Sequence, residues 1–213
     1  NIRYRSYWTK EAIKTYLDAF PYDMAIVWDS QCDINPLYEE LDYFYGKRWI
    51  FGVIHAFGGQ THLHGDLADI IKRMKKVISD PKAANCVGFG LWMEIIHHNP
   101  IYYDLVTRLA WNPEEVELES FLKDYAVRRY GEEFAENMVK CLWQLAESVY
   151  STNDLTTPFY QYTLADNVGR PGHQIDLSDP KAQARNRFIP HLQKALEIAL
   201  NEADRQADSP FYR

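Results

Sequence analysis

Glu94 is the residue around which chemistry can be built. It closes a short apolar run, Cys86-Val87-Gly88-Phe89-Gly90-Leu91-Trp92-Met93, which carries no charge until that carboxylate. A few residues later come Asn99 and Pro100. Asn is a good N-cap and Pro suits the first helical position, so a helix is expected from Pro100. The stretch reads strand, loop, helix, with one carboxylate at the carboxyl end of the strand, where α/β folds build their sites. A strand end holds a carboxylate rigidly and aims it into a cleft, as nucleophile or as proton donor and acceptor. The competing reading is a Glu that caps a helix or pairs with an Arg.

Two more polar residues stand in equivalent places. Asp29 follows the apolar run Met24-Ala25-Ile26-Val27-Trp28, and His55 follows Trp49-Ile50-Phe51-Gly52-Val53-Ile54. Asp29 is either an acceptor in a pocket or a loop cap. His55 either bonds a ligand hydroxyl, orients a carboxylate, or is a core histidine tied to backbone. Trp28 and Trp92 flank these ends and read as core. Of Trp92 and Met93, alternation puts one on the side of the neighbours of Glu94. His62, His64, His97 and His98 invite a metal reading, yet no Cys or carboxylate pattern fixes a coordination geometry. They are expected to be solvated loop histidines, with no metal and no cofactor.

The elements that must carry these residues are legible from periodicity. Ala12, Ile13, Tyr16, Leu17 and Phe20 share a helical face over 9–20, with Thr9 as N-cap and Pro21 as stop. The runs at 24–28, 49–54 and from Cys86 read as strands buried on both faces. Between the second and third, Leu67, Ile70, Ile71, Met74, Val77 and Ile78 form the apolar stripe of a helix, with Lys72 to Lys76 on its solvated side. Strands alternating with helices predict a parallel sheet. Three strand–helix units are too few to close an eight-stranded barrel, which takes about 250 residues.

From Trp111 onward the strands vanish. A stripe through Leu118, Phe121, Leu122, Tyr125 and Ala126 is closed by Gly131, and a second runs from Phe134 to Val149. Residues 151–180 read as a polar loop, and 181–205 as a helix kinked at Pro190.

The chain has 213 residues, 46% hydrophobic and 25% charged, which suits one or two globular domains. A net charge of −7 argues against a nucleic-acid footprint. No apolar run approaches the roughly 20 residues of a membrane span. The opening NIRYRSYW has no apolar core of a signal peptide, as a mature or excised segment also would not. Cys32, Cys86 and Cys141 are too scattered for a zinc or disulfide framework. Aromatics at 15%, with 15 Tyr and 6 Trp, suit either a carbohydrate pocket or simply a Tyr-rich core and surface.

Three stretches, in this order and spacing, resemble the family 89 glycoside hydrolases, the α-N-acetylglucosaminidases. Ile54-His55-Ala56-Phe57-Gly58-Gly59 is similar to that family's His-Asn-Phe-Gly-Gly loop. Gly88-Phe89-Gly90-Leu91-Trp92-Met93-Glu94 is similar to its Gly-x-Gly-x-x-x-Glu segment, and Ala126-Val127-Arg128-Arg129-Tyr130-Gly131 to its Ala-x-Arg-Arg-Tyr-Gly helix end. The final Ser209-Pro210-Phe211-Tyr212-Arg213 resembles a segment well before the family's C-terminus.

The resemblance implies the C-terminal part of a (β/α)8 TIM-type barrel, 1–111, followed by part of an all-α domain, 112–213. It implies a retaining hydrolase of terminal, non-reducing α-linked N-acetylglucosamine, with Glu94 as nucleophile; His55 and Asp29, by their strand-end placement, and Trp92, beside Glu94, are the candidates to line the sugar site. A retaining enzyme needs a second carboxyl group about 5–5.5 Å from the first. The family carries that acid/base in an Asn-Glu pair on an earlier strand. The Asn-Glu here, Asn201-Glu202, lies in the last helical pattern and does not match. The partners so implied are the glycan and the remainder of the enzyme, N- and C-terminal to this chain, in an extracellular, periplasmic or lysosomal setting. The alternatives are a glycan-binding or scaffolding fragment without turnover, and a small unrelated α/β domain.

Overall fold

The computed structural model describes residues 2–3, 6–55, 63–94, 99–153 and 187–207. Ala56 to Gly59 of the glycine loop, His62, His97, His98, most of the 151–180 stretch, residues 181–186 and the Ser209–Arg213 segment lie outside them. Two compact units form, 1–59 with 72–96, and 60–71 with 97–213.

The first unit is built on a parallel sheet of β1 (Val27–Asp29), β2 (Trp49–Val53) and β3 (Cys86–Leu91), in the order β1-β2-β3. Val27 to Asp29 pair with Trp49 to Phe51, and Ile50 to Val53 pair with Gly88 to Leu91. β2 is central, which is why its apolar run is continuous. Alternation sorts its side chains: Trp49, Phe51 and Val53 point to one face and are fully buried. There Tyr38 stacks on Trp49 with ring centroids 4.8 Å apart, and Phe51 meets Phe89 at 5.5 Å. The other face carries Ile50, Gly52, Gly88 and Gly90.

α1 (Lys10–Asp18) begins as its sequence predicts, with Thr9 Oγ1 accepting from the Ala12 N–H at 3.1 Å. Ile13 and Leu17 are buried, whereas Tyr16, expected on the inner stripe, is exposed and packs edge-on against Phe20. The first strand differs from expectation. Only Val27–Asp29 pair, and Met24, Ile26 and Trp28 are 73%, 46% and 43% exposed. The exposure is of one face: Ile26 and Trp28 lie on the same alternate, on the side of the sheet where β2 and β3 present Gly52, Gly88 and Gly90 rather than the buried aromatic layer.

Between β1 and β2 the short helical stretch Asp42–Tyr45 is left-handed, with φ from +46° to +57° at four non-glycine residues, and Gly46 follows at +83°. Each such residue costs roughly 1–2 kcal/mol. Phe44, fully buried at 5.7 Å from the Trp49 ring, and Asn85, which donates to the carbonyls of Tyr43 and Lys47, hold it in place.

α2 spans Leu67–Ser79. It buries Leu67, Ile70, Ile71, Met74 and Val77, but leaves Ile78 exposed.

The second unit is helical among its described residues. α3 (Pro100–Trp111) starts where Asn99-Pro100 predicts, but the Asn99 side chain does not cap it; its Oδ1 accepts from the Tyr150 hydroxyl at 3.0 Å. α4 (Leu118–Tyr130) and α5 (Glu132–Ala146) meet at Gly131, whose φ of +85° permits the abrupt change of direction. α5 lies against α4 and against α6 (Ile189–Ala207), burying Phe121, Leu122, Ala126, Met138, Cys141 and Ala195. Pro190 does not kink α6. It sits at the second residue, in the first turn, where no backbone donor is needed. Glu202 is buried, accepting from Asn137 Nδ2 at 2.8 Å and from Arg205 at 2.7 Å, so it is a packing carboxylate. No helix among the described residues is long and apolar enough to cross a membrane.

Candidate active site

Parallel pairing brings the carboxyl ends of β1, β2 and β3 to one end of the sheet, and with them Asp29, His55 and Glu94. The three ends are built differently.

Asp29 is buried. Its Oδ2 accepts from the Leu37 and Tyr38 N–H groups at 2.8 and 3.0 Å, and its Oδ1 accepts from Arg3. Burial raises its pKa, opposed by the Arg3 charge and the two N–H donors. The carboxylate thus ties the segment after β1 back onto the strand. Beside it the Cys32 thiol donates to the Asp29 carbonyl at 3.1 Å, and burial holds it protonated. All three cysteines are free thiols.

At the second end stands a residue the sequence reading passed over. Asp33 is 1% exposed, and its two oxygens accept from the His55 N–H at 2.7 Å and the Ile54 N–H at 3.3 Å. His55 is buried with a φ of +58°, a left-handed conformation that these two bonds help hold. The local signal was a second aspartate four residues after Asp29. Its partners, however, belong to the exit of another strand.

Burial pushes Asp33 up to about 6, against the pull of the two N–H groups and the Arg73 guanidinium. A raised native pKa means the folded chain binds the proton more tightly than the unfolded one. The contribution of Asp33 to stability is therefore largest below pH 4 and falls as pH rises to about 6. Denaturation of wild type and Asp33→Asn across pH 3.5–7 is expected to show a falling component in wild type that the variant lacks. An unchanged pH slope in the variant refutes this assignment.

The third end is open. After Leu91, paired with Val53, the Trp92 N–H donates to the Val53 carbonyl at 2.8 Å, extending the ladder by one bond. Trp92, Met93 and Glu94 then emerge exposed. Trp92 meets Trp28 edge-on, with centroids 5.2 Å apart. Of the three strand-end polar residues, Glu94 alone is exposed.

His64 departs from the solvated reading: it is 1% exposed. The segment around it is docked, with the Gly65 N–H donating to the Thr152 carbonyl at 2.9 Å and the Asp66 N–H to Asn153 Oδ1 at 2.8 Å. Among the described residues no three His, Cys, Asp or Glu side chains group so as to hold a metal.

Residues 1–113 match the family model described as the alpha-N-acetylglucosaminidase (NAGLU) TIM-barrel domain. The human alpha-N-acetylglucosaminidase is 30% identical over 132 residues, 59% of this chain and 17% of the human protein. A family 89 glycoside hydrolase from Clostridium perfringens, solved with 2-acetamido-1,2-dideoxynojirmycin, superposes with a TM-score of 0.71 at 23% identity, covering 95% of this chain and 22% of that one. A variant from the same organism with two glutamates changed to glutamine, solved with its substrate GlcNAc-alpha-1,4-galactose, gives 0.67 at 23% identity, over 88% of this chain and 21% of that one. At that identity these neighbours speak to the fold, an α/β fold of TIM type. The chain spans less than a quarter of each relative's length. With more than half of its residues matched, this chain belongs to the alpha-N-acetylglucosaminidase (NAGLU) family.

Proposed function

We propose that this chain is the portion of an α-N-acetylglucosaminidase that carries its nucleophile, Glu94, on the last barrel strands, 1–111, together with part of an all-α domain, 112–213. The complete enzyme hydrolyses terminal, non-reducing α-linked N-acetylglucosamine with retention. Glu94 attacks the anomeric carbon while ionised. A second carboxyl group, on the part of the enzyme outside these residues, protonates the leaving oxygen and then deprotonates water. No metal or cofactor enters this scheme.

The observation that carries the reading is the contrast at the strand ends. Asp29 and Asp33 are buried, whereas Glu94 emerges exposed, two residues past the last ladder bond. The substrate class comes from the family match and from neighbours crystallised with N-acetylglucosamine-type ligands. On this reading Asp29 shapes the site through the Leu37–Tyr38 segment. Asp33 fixes the backbone at His55, behind the site, and Trp92 supplies an apolar wall.

The test is hydrolysis of 4-nitrophenyl α-N-acetylglucosaminide by the full-length protein, followed by NMR. The α-anomer is expected first, and the isolated 213-residue chain is expected to be inactive. A first-formed β-anomer, or turnover by the isolated chain, overturns the two-carboxylate division proposed here.

A further inference from the structure

We infer that Trp28 is a positioning residue for this reaction, acting through Trp92; the inference rests on the glycosidase reading above. Trp28 sits mid-strand in β1, opposite Ile50, so its side chain leaves the sheet on the face away from Asp29. The indole runs across the sheet rather than along it. A Cβ built on Gly52 would lie 2.2 Å from Trp28 Nε1, and one on Gly90 2.9 Å from its Cζ2. Gly52 and Gly90 are direct partners across β2 and β3. Two adjacent strands therefore carry glycine at the one paired position where the ring crosses them. Any side chain there would lift it.

That ring meets Trp92, with centroids 5.2 Å apart and planes inclined by 78°. Trp92 belongs to the same alternate of β3 as Gly88 and Gly90, and Glu94 follows two residues later. The chain of contacts thus runs from β1, over a glycine track, to the indole nearest the proposed nucleophile. Trp28 sets the tilt of Trp92, and Trp92 offers its ring to the apolar face of the sugar held at Glu94. Trp28 itself touches no reacting atom.

The experiment is a double-mutant cycle in the full-length enzyme, reading kcat and KM with 4-nitrophenyl α-N-acetylglucosaminide alongside the thermal midpoint. Trp92→Ala is expected to raise KM about tenfold and Trp28→Leu by somewhat less, while the double variant is no worse than Trp92→Ala alone. Gly90→Ala provides an independent route, because it displaces the indole without removing it. It too is expected to raise KM, and adding Trp28→Leu is expected to do no further harm. Effects of the two Trp changes that multiply, or a Gly90→Ala enzyme with wild-type KM, overturn the inference. An active wild type with independent Trp effects refutes this inference alone; an inactive full-length wild type refutes the glycosidase reading and this inference with it.

Discussion

Glu94→Gln removes hydrolysis of an aryl α-N-acetylglucosaminide by the full-length protein, by roughly a thousandfold or more, on the order of 4 kcal/mol of lost transition-state stabilisation. The amide is nearly isosteric with the carboxylate but carries no charge with which to attack. The fold is expected to be indifferent. Glu94 is exposed and lies beyond the last ladder bond, the Trp92 N–H to Val53 carbonyl. A change in stability of no more than about 0.5 kcal/mol is therefore expected. The two effects separate the nucleophile from its neighbours. Asp29→Asn or Asp33→Asn disturbs buried bonds to Leu37, Tyr38, Ile54 and His55, so activity and stability fall together. Kinetics paired with thermal unfolding decide the matter. An Glu94→Gln enzyme within tenfold of wild-type kcat removes Glu94 from the mechanism.

What the sequence could and could not tell follows from the range of the interactions involved. Thr9, Asn99-Pro100 and Gly131 mark helix boundaries because the signals are local and lie within one turn of the events they cause. The place of Glu94 was legible for the same reason: an apolar run, a charge, then a helix start. An apolar run does not say whether both faces of its strand are covered, so Met24–Trp28 read as buried although Ile26 and Trp28, on one alternate, are exposed. Asp33 was invisible because its partners Ile54 and His55 lie 21 and 22 residues away. Nor did any local preference announce the left-handed stretch at Asp42–Tyr45. The burial of Phe44 and the two Asn85 bonds from β3's approach impose it. His64 read as solvated because nothing local shows that the next two residues, Gly65 and Asp66, are tied to Thr152 and Asn153, far along the chain.

Gly52→Ala is expected to be the costliest single methyl group that can be added to the sheet. Its Cβ would lie 2.2 Å from Trp28 Nε1, 2.7 Å from Trp28 Cδ1 and 2.7 Å from the Asp29 carbonyl oxygen. A side chain can rotate away, but the Asp29 carbonyl is backbone at the end of β1, in a strand paired with β2 and anchored by Leu37 and Tyr38. Overpacking of this kind costs about 1–3 kcal/mol, and a backbone obstacle places Gly52 at the upper end. Gly88→Ala is the control, since nothing lies within 4 Å of its Cβ. It is expected to change stability by less than about 0.5 kcal/mol. The Trp28→Leu background then discriminates between obstacles. At Gly90 the crowding atoms are side-chain carbons of Trp28 and Ile50, so Gly90→Ala becomes nearly neutral there. At Gly52 the carbonyl remains, so most of the penalty persists. Denaturant titration of these variants in the full-length protein reads the difference. A Gly52→Ala protein as stable as Gly88→Ala would mean that β1 yields freely, and that Asp29 is not fixed where the site needs it.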